Sequence, residues 1–91
     1  MPVNIYEAWN QPLKEILIGL TRLSVSELRA FHRKNPPRPA AHWDFNVHRI
    51  DYVEVERGLP DEDAPAFIEH YAIATPAKGW RRLLDESLPG R

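Results

Sequence analysis

The run Ile16-Leu17-Ile18-Gly19-Leu20 constrains this chain more than any other stretch. A strand with one wet face alternates apolar and polar residues, so an unbroken apolar run beside turn residues reads as a strand buried on both faces and central in its sheet. Glycine inside such a strand weakens it, and its presence implies that another group needs the space. Upstream, Val3 to Trp9 carries the β-favouring Val3, Ile5, Tyr6 and Trp9 and leads into the turn-like Asn10-Gln11-Pro12. Lys14 to Thr21 is then its hairpin partner.

A helix follows. Ser24 and Glu27 make a Ser-x-x-Glu capping box, and the helix is predicted from about Val25 to Lys34, where Asn35-Pro36-Pro37 stops it. Val25, Leu28, Phe31 and His32 share one of its faces. Asn35 to His42 is a Pro-rich surface loop, and alternation returns from about His48 to Glu56 as a third strand that Arg57-Gly58-Leu59-Pro60 ends. Asp61 or Asp63 caps a second helix reaching about Ile73, with Ala64, Phe67, Ile68, Tyr71 and Ala72 on its buried side. Trp80 to Leu84 reads equally as a short strand or a helical turn, with Trp80 as a core anchor. The expected fold is α+β: a small, mostly antiparallel three-stranded sheet flanked by helices, in the order ββαβα plus a short C-terminal element. A length of 91 residues suits one domain over 1–91, with 35–42 as its surface loop.

With no cysteine, neither disulfides nor thiolate metal sites supplement the core. No apolar stretch is long enough to cross a bilayer, so the expectation is a cytoplasmic protein without membrane contact. A net charge of −1 argues against avid, non-specific DNA binding. It leaves room for a local patch, because Arg22, Arg29, Arg33, Lys34 and Arg38 fall within one segment, with Trp43 nearby as a candidate stacking residue. His32, His42, His48 and His70 show no zinc-site spacing.

Asn4-Ile5-Tyr6 and Leu17-Ile18-Gly19, with Glu7 to Ile16 between them, resemble the paired Gly-Ile-Tyr and Tyr-Ile-Gly strands that open the GIY-YIG nuclease domain. His32 stands where family helices often close with a histidine, and Glu69 resembles the family glutamate. Gly79-Trp80-Arg81-Arg82-Leu83-Leu84-Asp85 is similar to a Gly-Trp-x-Leu-Leu-Asn ending, with one residue more and aspartate for asparagine.

The resemblance implies a metal-dependent endonuclease in which Glu69 holds magnesium or manganese, Tyr6 and His32 move protons, and an arginine stabilises developing charge. By spacing the arginine place falls on Glu27; one extra loop residue puts Leu28 there and two put Arg29 there, which is not a simple slip when each helical residue turns about 100°. Asn4 and Leu17 replace the first glycine and the second tyrosine, so the active-site set is incomplete and activity is expected to be weak or lost. The alternative is a non-catalytic module on the same fold that binds DNA, RNA or a protein, using Arg22, Arg33, Lys34 and Arg38 for nucleic acid.

Overall fold

The computed structural model describes residues 2–74 and 78–85, the side chains of 72–74 excepted. Its elements are β1 (Val3–Asn10), β2 (Glu15–Thr21), α1 (Val25–Lys34), β3 (Ile50–Leu59), α2 (Ala64–Ala74) and β4 (Arg81–Asp85), with 3-10 turns at Arg38–Ala40 and Asp61–Asp63. The chain is α+β, with one mixed four-stranded sheet in the order β3-β1-β2-β4. No helix among the described residues is long and apolar enough to cross a membrane.

The hairpin forms as its residues demand. β1 and β2 pair antiparallel from Asn4↔Thr21 to Asn10↔Glu15. Asn10 closes the turn by accepting the Leu13 amide on its Oδ1 at 3.1 Å, and Lys14 takes a left-handed φ of 55°. Every residue of β2 is buried, and the strand lies between two neighbours.

The three-stranded sheet expected above gains a fourth strand, because Arg81–Asp85 pairs parallel with β2 from Glu15↔Arg81 to Gly19↔Asp85. Five residues with a mixed polarity pattern carry little strand signal of their own; the β2 edge that they complete is what makes them a strand. β3 also runs further than expected. Gly58 takes a φ of 76° and donates its amide to Asn4 Oδ1 at 3.0 Å, and the register with β1 shifts near Ile5 so that Leu59 still pairs with Val3. A glycine read as a stop is a bulge.

Strand alternation divides the core in two. Val3, Ile5, Ile16, Ile18 and Leu20 face α2, where Ala64 and Ile68 cover them and Trp9, Phe67, Tyr71 and Trp80 close the margin. Tyr6, Ala8, Leu17 and Ile50 face the other way, under Leu28 of α1 and under Ala40 and Trp43 of the connection to β3. Burying each large aliphatic side chain contributes about 1.5–3 kcal/mol, so both layers are needed to hold so small a domain. Trp80 stands edge-on to Trp9, ring centroids 4.9 Å apart, in keeping with an anchoring role.

Candidate functional site

The face under α1 gathers three polar aromatic side chains, Tyr6, His32 and Tyr52. Leu28 and His32 are four residues apart and share the buried stripe of α1; Arg29 and Arg33 share the stripe beside it. The capping box sets the start of this helix, with Glu27 N donating to Ser24 Oγ at 3.2 Å and Ser24 N to Glu27 Oε1 at 3.0 Å. His32 therefore drops onto the sheet beside Tyr6, their ring centroids 5.7 Å apart. Tyr52 of β3 stacks on Tyr6 at 6.3 Å, and its hydroxyl shares a 2.7 Å hydrogen bond with His32 Nδ1.

Gly19 lies directly across from Tyr6, and a Cβ there would meet the tyrosine hydroxyl at 2.6 Å and two ring carbons at 2.8 Å. The group that needs the space at Gly19 is the Tyr6 ring. Burial pushes the Tyr6 phenol well above its usual pKa, with the charges of Asp85 and Tyr52 adding to the effect. Burial also holds the His32 imidazole down at about 4, against an opposing pull from Asp85. Both shifts favour the uncharged forms at neutral pH.

A cleft of about 190 Å³ opens beside this cluster, lined by Arg29 and Arg33 of α1, by Phe45, Asn46, His48 and Arg49 of the connection, and by Ile50, Asp51 and Tyr52 of β3. Tyr52 forms part of its wall with Arg29 over the ring, the guanidinium carbon 5.2 Å from the centroid. Burial pushes the Tyr52 phenol pKa up, against a smaller downward pull from the charges of Arg29 and Arg33. Neither arginine has a carboxylate within ion-pair distance among the described residues, and Arg49 approaches Asp51 only at 3.7 Å. Asp51 is already an acceptor for Gln11 Nε2 at 3.0 Å. The cleft is cationic, aromatic on one wall and open to solvent.

The connection is held from beneath. Glu15 of β2 accepts from Trp43 Nε1 at 2.8 Å and from His42 Nε2 at 2.6 Å. Burial raises the Glu15 carboxyl, but these two hydrogen bonds and the charges of His42 and Arg81 outweigh it and leave the pKa below its usual value. Trp43 is only 4% exposed, so it is a structural post and not the stacking surface expected of it. His48 Nδ1 accepts the Asp44 amide at 3.1 Å and lies 3.0 Å from Asn10 Nδ2, which ties the cleft's lip to the hairpin.

The residues singled out in the sequence separate accordingly. Tyr6, His32 and Arg29 come together, and Arg33 lines the same cleft. Glu69 does not join them: it is exposed on α2, which covers the opposite face of the sheet. Arg22 also lies outside the cleft, paired with Asp61 at 2.6 Å. Lys34 lines a shallow apolar groove with Leu23 and Phe31, and Arg38 is exposed on its 3-10 turn. Phe45, Asn46, His48 and Arg49 were not anticipated as site residues, and the hint in the sequence is Arg49 directly before β3. Among the described residues no group of three or more histidine or acidic side chains is placed to hold a metal ion. Neither a protein-family model, nor a curated protein, nor a solved structure matches the chain.

Proposed function

We propose that this chain is a non-catalytic nucleic-acid-binding module on a GIY-YIG-like framework. The relationship draws support from four of the positions that carry the resemblance, since Tyr6, Gly19, His32 and Asp85 gather on one face of the sheet. Loss of catalysis draws support from Glu69. Phosphodiester hydrolysis in this manner needs a metal-binding carboxylate beside the proton-transfer residues, and Glu69 stands across the sheet from Tyr6 and His32. Leu17, wholly buried, supplies no hydroxyl where the family has a tyrosine.

The observation that carries binding is the cleft that Arg29, Arg33 and Arg49 line together with Tyr52. Guanidinium groups take phosphate oxygens in paired hydrogen bonds, and an aromatic wall suits a sugar or base edge. A mildly acidic chain suits binding at a local cationic cleft better than binding along its whole surface. The test is fluorescence anisotropy with a labelled single-stranded oligonucleotide at low salt, alongside a gel assay for cleavage with magnesium or manganese. Saturable binding without cleavage is expected. Absence of binding at low salt, or cleavage abolished by Glu69→Ala, would overturn the reading.

A further inference from the structure

We infer that the cleft recognises the terminal phosphomonoester of a nucleic-acid strand in preference to an internal phosphodiester. The inference rests on the nucleic-acid reading above and goes beyond it by naming which phosphate is bound.

Size is the first argument. Pockets that enclose a whole small ligand span about 300–1,000 Å³, and this cleft of about 190 Å³ falls short of that range. It has room for a phosphate with part of its sugar, and the rest of the strand lies outside it.

Charge is the second. Arg29, Arg33 and Arg49 line the cleft against the single carboxylate of Asp51, which leaves two formal positive charges in excess. A phosphomonoester carries about −1.5 to −2 at neutral pH and presents three oxygens, whereas an internal diester carries −1 and presents two. The dianion matches the excess, and the diester matches half of it.

Geometry is the third. Arg29 and Arg33 stand one helical turn apart on α1, and Arg49 comes from the connection that precedes β3, so cationic residues line the cleft from two elements. Tyr52, pinned by His32 at 2.7 Å, holds the wall between them. His48, its Nδ1 already accepting the Asp44 amide, has Nε2–H as its ring donor. The site offers donors to an anion from opposing elements, with its aromatic wall already fixed.

The experiment compares, on the full chain at one salt concentration, three oligonucleotides of identical sequence: 5′-phosphorylated, 3′-phosphorylated and unphosphorylated, each labelled away from the end under test. At least about tenfold tighter binding of one phosphorylated form is expected, with the preference lost in Arg29→Gln, Arg33→Gln and Arg49→Gln. Ribose 5-phosphate should compete for that form. Equal affinity for all three oligonucleotides would overturn this inference and leave the nucleic-acid reading standing. No binding of any oligonucleotide would overturn both, including the case in which ribose 5-phosphate alone binds. A preference that survives in all three variants, each shown by circular dichroism to be folded, would place the phosphate elsewhere and overturn the assignment to this cleft.

Discussion

Tyr6 and Gly19 are cross-strand partners in which one residue's ring occupies the space that the other's missing side chain leaves. A Cβ at position 19 would come within 2.6 Å of the Tyr6 hydroxyl oxygen. Tyr6 is 1% exposed and packed against His32 and Tyr52. Gly19→Ala is therefore expected to destabilise the fold by about 1–3 kcal/mol, as overpacking of a filled core does. Adding Tyr6→Phe should recover only part of this, because the ring carbons at 2.8 Å remain. Urea denaturation of both variants measures the difference.

His32 makes stability depend on pH. Its imidazole is held at about 4 in the fold against an ordinary 6.5, so between those values the unfolded chain binds the extra proton. The contribution is fully present above pH 6.5 and is lost as the pH falls toward 4, up to about 3 kcal/mol in size. Asp85, which favours the charged imidazole, reduces it. Denaturation midpoints measured from pH 7.5 down to 4.5 should fall, and His32→Gln should flatten the profile in that window.

Glu15 adds a second loss at lower pH. Its carboxyl is held below the ordinary 4.5 by Trp43, His42 and Arg81, so its contribution is present above that value and fades as the pH drops through the folded pKa. Glu15→Ala leaves the buried Trp43 N–H without its acceptor, which costs about 1–3 kcal/mol. The readout is the Trp43 environment: near-ultraviolet circular dichroism should change in Glu15→Ala, while far-ultraviolet signal stays close to that of the parent chain.

Glu69 is expected to be nearly neutral. It is exposed on α2, away from the cleft, and surface substitutions of this kind fall within about 0.5 kcal/mol. Glu69→Ala should melt with the parent and bind an oligonucleotide with the same affinity. A loss of binding would relocate the site to α2.

Local features were legible in the sequence. The Ser24–Glu27 box, the Asn10–Pro12 turn and the buried run of β2 each depend on residues a few positions apart, and each stands as expected. So do Leu28 and His32 on the inner stripe of α1. What was not legible depends on distant partners. Arg81–Asp85 becomes a strand through the parallel edge of β2, and Gly58 becomes a bulge because Asn4 takes its amide. Trp43 becomes buried because Glu15 accepts its N–H, twenty-eight residues away in the chain. The site divided in the same way. Arg29 and Arg33 were visible by helical spacing, whereas Arg49 reaches them only once the aperiodic connection has folded back over β1. Glu69 was misplaced by a pattern that names a helix but not the face of the sheet that the helix covers.

The most direct test is the salt dependence of oligonucleotide binding in the parent chain and in Arg29→Gln/Arg33→Gln. Each phosphate contact on a single strand contributes about 0.7 to the slope of log K against log salt. Weaker binding and a slope shallower by about 0.7–1.4 are expected in the double variant. Unchanged affinity and slope, in a variant that remains folded, would contradict binding at the cleft.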